Sequence, residues 1–132
     1  MVRYLLVIQH GQQHWDLPKG KTEGDETFKE AAVRECYEET GFQINEDDLL
    51  LLGDVSYRKG KRLVLFFYTA KDKPIPSELE CKSTYTNRYG RSHPELDKFM
   101  YIDVEDCQKY LTERMCNSII KAVKAFLRNR RK

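Results

Sequence analysis

A chain of 132 residues that is 40% hydrophobic and 11% aromatic has the length of one ordinary domain and enough apolar material for a core, which excludes a disordered segment. Charged residues make up 33% of it, yet the net charge is only +2, so bulk charge does not call for a nucleic-acid or membrane partner. Cys36, Cys81, Cys107 and Cys116 form no C-x-x-C pair and no zinc spacing, and are read as reduced thiols of a cytoplasmic protein. No apolar run is long enough to span a bilayer, and no secretory signal, repeat or linker interrupts the pattern. Residues 1–132 are therefore expected to form a single domain.

In chain order, Tyr4 to Gln9 has the composition of a buried strand, followed by a polar loop over 11–24 punctuated by glycine and proline. A helix is expected from about Glu26 to Thr40, with Asp25 as N-cap and Gly41 as the stop. Leu49 to Tyr57 and Arg62 to Ala70 read as two strands joined by Arg58-Lys59-Gly60-Lys61, a hairpin signal. Residues 77–96 carry no clear period. Lys98 to Ile102 is a short strand, and Asp103, with Asp106 in the capping-box position, is expected to start a short helix. Thr112 caps the last helix, whose stripe of Met115, Ile119, Val123, Phe126 and Leu127 is read as core. The basic run Arg128-Asn129-Arg130-Arg131-Lys132 is read as a solvated tail. This order of elements predicts an α/β or α+β domain with helices packed on a mixed sheet.

The first helix carries an electrostatic anomaly. Each helical residue rotates by about 100°. With Glu35 at zero, Glu39 lies near +40° and Glu38 near −60°, while Phe28, Ala31 and Ala32 fall near +20°, −40° and +60° by the same rotation. Three carboxylates thus share the arc that the apolar residues mark as inward. Such a cluster is usually a solvated face, but that reading leaves Phe28 in water. Three unpaired carboxylates raise one another's pKa, and a helix C-terminus favours cations over anions. Arg34 offers one positive charge against three. A divalent cation such as Mg²⁺ or Mn²⁺ resolves the conflict, because hard cations take carboxylate oxygens. Such an ion shares its shell with substrate phosphates and can orient a polyphosphate toward water. Upstream, Lys19 sits between Pro18 and Gly20, where a turn can offer a carbonyl to a metal or N–H groups to a phosphate.

Gly20, Glu26, Arg34, Glu35, Cys36, Glu38, Glu39, Gly41 and Phe42 follow the spacing of the Nudix box, and residues 20–42 resemble it at all seven of its fixed positions. At average residue usage, a chance match at one start point is on the order of 10⁻⁸. Trp15-Asp16-Leu17-Pro18-Lys19-Gly20 is similar to the entry loop of MutT-like members. The resemblance implies an α/β/α sandwich around a mixed sheet, and hydrolysis of a nucleoside diphosphate linked to another group. It implies Glu35, Glu38 and Glu39 as ligands of Mg²⁺ or Mn²⁺, with the Gly20 carbonyl as a further one. Arg34 would orient the glutamates, and Glu26 would pair with Arg34 or reach an outer metal. The general base would be a box glutamate, Glu35 or Glu38, or a residue from another loop such as Glu95. Cys36 departs from the usual aliphatic residue, with little effect expected from a small apolar side chain. Members usually carry a strand before the one at Tyr4 to Gln9, so this sheet is expected to lack that edge or to have a partner complete it.

Substrate choice lies outside the box. Tyr57 falls 15 residues beyond Phe42, close to a tyrosine position of the diadenosine polyphosphate hydrolases, which this chain resembles most among the subgroups. An aromatic there can stack a base, and strand packing accounts for it equally well. Arg58, Lys59, Lys61 and Arg62 form a basic tip that can hold a polyphosphate tail or simply be a wet turn. Lys19, Tyr57, Arg58 and Arg62 are the candidate substrate contacts. The first expectation is a pyrophosphohydrolase of dinucleoside polyphosphates or similar small nucleotides. The alternatives are a hydrolase of oxidised nucleoside triphosphates or of RNA 5′ ends, and a non-catalytic nucleotide sensor. The sequence leaves the oligomeric state open.

Overall fold

The computed structural model describes residues 4–10, 14–82, 85–86, 92–93 and 97–130. Along the chain run β1 (Tyr4–His10), helix α1 (Phe28–Thr40), β2 (Leu49–Arg58), β3 (Lys61–Tyr68), the two-residue strands β4 (Tyr85–Thr86) and β5 (Ser92–His93), β6 (Asp97–Asp103) and helix α2 (Glu113–Arg130). Short 3-10 turns lie at Glu46–Asp48, Pro76–Glu78 and Val104–Lys109.

The apolar run of β1 needs cover, and β6 supplies it as an antiparallel partner from Tyr4↔Asp103 to His10↔Asp97. Leu5, Val7 and Ile8 are all buried, so both faces of β1 are covered and its sequence shows no polar alternation. The turn Lys59–Gly60, with Gly60 at φ 75, closes the β2–β3 hairpin as expected, and Arg58 faces Lys61 across it. Register shifts between Leu51 and Gly53 and between Ser56 and Arg58 bend β2. Gly53 sits where α2 crosses: a Cβ there would lie 2.8 Å from that of Ala122. The two ladders share one core of Leu5, Val7, Leu52, Val55, Leu65 and Ile102, closed by Leu111, Met115, Ile119 and Ala122 from the α2 side.

The architecture is the expected α/β one, with helices packed on sheet. The three ladders among the described residues, β1–β6, β2–β3 and β4–β5, are all antiparallel. The parallel ladder that a mixed sheet requires is not among them, because β1 meets the β2–β3 hairpin through core side chains. The described residues begin with β1 at Tyr4, so the expectation about a strand before it falls outside them.

Several local expectations shift. Thr27 caps α1, not Asp25: its hydroxyl accepts from Glu30 N–H at 3.1 Å, and Glu30 accepts from Thr27 N–H at 2.9 Å. That is a capping box, and it sets the helix start two residues later. Asp103 sits at the start of the 3-10 turn without a side-chain cap, so the box with Asp106 is not formed. Thr112 does cap α2, accepting from Met115 N–H at 3.2 Å. Met115 and Ile119 are buried, Val123 and Phe126 half-buried, and Leu127 stands 37% exposed at the end of the stripe. Cys107 and Cys116 are joined in a disulfide with Cα atoms 5.7 Å apart, which corrects the reading of four reduced thiols. Their spacing carries no signature; the 3-10 turn folding back on α2 brings them together. Cys36 and Cys81 keep their thiols.

The end of α1 is the best-anchored helix terminus in the described chain. Gly41 adopts φ 77 and its N–H donates to the Tyr37 carbonyl at 2.8 Å. Glu80 N–H reaches the Thr40 carbonyl at 2.9 Å and Lys82 N–H the Glu38 carbonyl at 2.7 Å. A Cβ at Gly41 would stand 2.9 Å from the Glu80 carbonyl oxygen. Gly41→Ala is therefore expected to lower the unfolding free energy by about 1–2 kcal/mol. Urea unfolding with an unchanged m-value checks this, and a variant as stable as wild type would contradict the cap.

Candidate active site

The loop between β1 and α1 is first fixed to the sheet. Ile8 and Asp16 exchange backbone hydrogen bonds at 2.8 and 2.9 Å, and Trp15 and Leu17 pack against the core. The chain then runs back along α1 and is tied there by Arg34. Its Nε donates to Glu26 Oε2 at 2.7 Å and its Nη2 to Glu26 Oε1 at 3.0 Å, a bidentate pair. Nη2 also donates to the Lys21 carbonyl at 2.8 Å. Nη1 reaches Glu35 Oε1 at 2.8 Å and Glu38 Oε2 at 3.3 Å. Glu23 lies 3.7 Å away as an outer ion pair. The hydrogen bond from Arg34 holds the Glu26 carboxyl below its usual range, and the same carboxylates raise the pKa of Arg34.

Gly20 lies directly on Glu35, since a Cβ there would collide with the carboxylate. Only a residue without a side chain lets the loop backbone approach that closely. Lys19 N–H donates to Glu39 Oε2 at 3.0 Å. Burial, opposed by this hydrogen bond and reinforced by Glu35 and Asp16, pushes the Glu39 carboxyl up to about 8. The last turn of α1 holds no basic residue, so the helix dipole also acts against these anions.

Lys19, Gly20, Arg34, Glu35, Glu38 and Glu39 thus meet along one loop–helix seam. The route to this seam differs in one respect from the sequence argument. Phe28 is 60% exposed, whereas Ala31, Cys36 and Thr40 are the buried residues of α1. The glutamates line the rim of the packed face, and do not continue an apolar stripe. Arg34 spreads two of them around itself. Accordingly, no three His, Cys, Asp or Glu side chains among the described residues converge closely enough to hold a metal ion. The donor set still suits a hard cation: three carboxylates and a backbone turn, all offering oxygen.

Among the described residues, no hydrogen bond or ion pair joins the remaining candidates to this seam. Tyr57 is half-buried with the Arg114 guanidinium 6.0 Å from its ring centre. It lines an open groove of about 620 Å³ with Ser56, Thr112, Arg114 and Asn117. Arg58 is exposed at the hairpin tip. Arg62 is taken up by Asp54, at 2.8 Å to the carboxylate and 3.2 Å to the carbonyl. Glu95 lies outside the described residues. Sequence reasoning passed over three contributors: the Lys21 carbonyl, Glu23, and the 80–82 stretch that caps the carbonyls behind Glu38. Backbone groups and an unpatterned loop leave no motif by which to find them.

Residues 2–118 match the family model described as the NUDIX domain. The chain belongs to the Nudix family. It is 43% identical over 94 residues to an uncharacterized 17.7 kDa protein of Enterobacteria phage T4, from the e-segB intergenic region, covering 67% of this chain and 60% of that one. It is 30% identical over 103 residues to an RNA pyrophosphohydrolase of Photobacterium profundum, covering 71% of this chain and 58% of the relative. The chain thus spans 58–60% of the length of these relatives. A solved MutT structure, from work on that protein in Aliivibrio salmonicida and Vibrio cholerae, aligns over 92% of this Nudix chain and 86% of its own with a TM-score of 0.60 at 16% identity. That likeness shows a shared fold. No helix among the described residues is long and apolar enough to cross a membrane.

Two expectations follow from the seam. Lysine at position 34 supplies one point charge and cannot bridge Glu26, Glu35 and the Lys21 carbonyl together. Arg34→Lys should release the loop, raising tryptic cleavage after Lys19 and Lys21 by about tenfold; unchanged cleavage would contradict the tie. Glu39 sets a pH dependence. Its folded pKa of about 8 lies above the ordinary 4.5, so the fold favours the protonated carboxyl. That contribution is full below about 4.5 and is lost as pH rises through about 8. Metal-free wild type should lose stability between about pH 4.5 and 8 relative to Glu39→Gln, with no further loss above that range. Parallel stability profiles for the two proteins would refute this.

Proposed function

We propose that this protein is a metal-dependent pyrophosphohydrolase that cleaves a nucleoside diphosphate linked to another moiety by attack of water on phosphorus. The observation that carries the reading is the seam itself: Glu35 and Glu39 meet the Lys19–Gly20 turn, and Arg34 bridges the loop to Glu35 and Glu38. Glu35, Glu38, Glu39 and the Gly20 carbonyl would hold Mg²⁺ or Mn²⁺. A bound divalent ion would neutralise and polarise the phosphate oxygens. The work of this chain's own residues is positional. Arg34 fixes the directions of Glu35 and Glu38, and Lys19 places its ammonium beside the diphosphate. Glu35, Glu38 or Glu95 takes the proton of the attacking water. Hydrolysis of this kind depends mainly on orientation and charge neutralisation.

The substrate read first is a dinucleoside polyphosphate or a related small nucleotide, with Lys19, Tyr57, Arg58 and Arg62 as contacts. Arg62 would have to exchange its Asp54 partner to take part. Hydrolysis of RNA 5′ ends is the second reading, favoured by the 30% identity to an RNA pyrophosphohydrolase.

Glu38→Gln and Glu39→Gln are each expected to lower Mg²⁺-dependent kcat by about a hundredfold or more with the fold retained by circular dichroism. Full activity in either variant, or equal wild-type activity in excess chelator, would defeat the metal assignment. A panel of diadenosine tetraphosphate, oxidised and normal triphosphates, ADP-ribose, NADH and triphosphate-ended RNA decides the substrate. Cleavage of RNA alone would replace the first reading with the second.

A further inference from the structure

Thr40 ends α1 one position after Glu39, and it is wholly buried, at 0% exposure. Its hydroxyl donates its one proton to the Cys36 carbonyl at 2.6 Å. Two lone pairs of that oxygen are then open to donors. The Phe42 N–H takes one at 3.1 Å, and the Cys36 thiol stands 3.6 Å from the same oxygen. Phe42 in turn sets its ring edge-on to Tyr68 of β3, with centroids 5.8 Å apart. A line of contacts therefore runs from the sheet through Phe42 and the Thr40 hydroxyl into the last turn of α1. That turn carries Glu38 and Glu39, whose carboxylates meet Arg34 and the Lys19 N–H. A helix end that already has the Gly41 cap and the N–H groups of Glu80 and Lys82 on its carbonyls needs no third device to stop. What the hydroxyl adds is direction, because a back-bond to the carbonyl four residues earlier bends the turn it closes.

We propose that Thr40 is a positioning residue for the metal site: its hydroxyl sets the last turn of α1 in the direction that delivers Glu38 and Glu39 to the seam. The role belongs to the hydroxyl and not to the methyl group. Serine reproduces the contacts of the oxygen, whereas valine matches the shape of threonine and leaves the Phe42 N–H without this acceptor. The proposal deepens the pyrophosphohydrolase reading and rests on it for the task of the metal, though not for metal binding itself.

The test is binding of Mn²⁺ to the full chain without substrate, read from the electron paramagnetic resonance of the free ion, beside Mg²⁺-dependent kcat and KM and urea unfolding. Thr40→Val should raise the Mn²⁺ Kd by about tenfold and lower kcat by a similar factor with KM little changed. Thr40→Ser should stay within about twofold of wild type in both. Thr40→Ala removes the hydroxyl without setting a methyl group against the Phe42 N–H; it carries the same expectation as valine and replaces it where valine does not fold. Ile119→Val is the stability control, in a core cluster that includes no residue of α1. It should lose unfolding free energy yet bind Mn²⁺ as wild type does. Wild-type Mn²⁺ affinity in Thr40→Val, a loss in Thr40→Ser as large as in Thr40→Val, or an equal loss in Ile119→Val would each overturn the role, as would the absence of Mn²⁺ binding by wild type. Weakened Mn²⁺ binding in Thr40→Val, with no hydrolysis of any substrate by wild type, would sink the enzyme reading and leave the role standing. Undiminished hydrolysis and Mn²⁺ binding in Thr40→Val would do the reverse.

Discussion

The site depends on one guanidinium. Arg34 touches the loop and the helix at once, through Glu26 and the Lys21 carbonyl on one side and Glu35 and Glu38 on the other. Its planar fork lets one charge satisfy several acceptors in fixed directions, which an ammonium on a flexible stem does not. Without it the loop would have no side-chain tie to the first half of α1, and three acids would face one another across a rim. The pair is only partly solvent-screened, with the Arg34 side chain 20% exposed. Its value is therefore better read as orientation than as a large store of stability.

The second constraint is the approach of backbone to carboxylate at Gly20. The loop can lie on Glu35 because position 20 has no Cβ, and it stays there because Lys19 donates to Glu39. Partial burial under this loop, working against the Lys19 hydrogen bond, keeps the Glu39 carboxyl above its usual range in metal-free protein. A cation entering the seam would have to draw Glu35 and Glu38 partly away from Arg34. The arrangement is a poised set of donors around an arginine, not a finished cage.

Legibility from sequence followed how local each determinant is. The box spacing, the Gly41 stop, the hairpin turn at Gly60 and the Thr112 cap depend on neighbouring residues, and all were readable. The start of α1 was misplaced because Asp25 and Thr27 are both good caps, and only the reciprocal bond with Glu30 decides between them. Phe28 defeated the helical-wheel argument: the periodicity assigned it to the interior, whereas the packed line runs through Ala31, Cys36 and Thr40. The disulfide and the 80–82 contacts join segments 9 and about 42 residues apart with no motif to announce them. The site was legible as a set of residues; its bonding pattern was not, since that is set by how a long loop folds back.

The 80–82 stretch carries a consequence of its own. It holds the carbonyls of Glu38 and Thr40 by the N–H groups of Lys82 and Glu80, with the Cys81 thiol also donating to the Glu38 carbonyl at 3.5 Å, so the last turn of α1 has its rear end fastened to this segment. That fastening is a lever. A shift of the segment by the length of a hydrogen bond would turn the carboxylates of Glu38 and Glu39 without any contact to them. Mechanical control of the seam would then reside in the part of the loop where sequence says least.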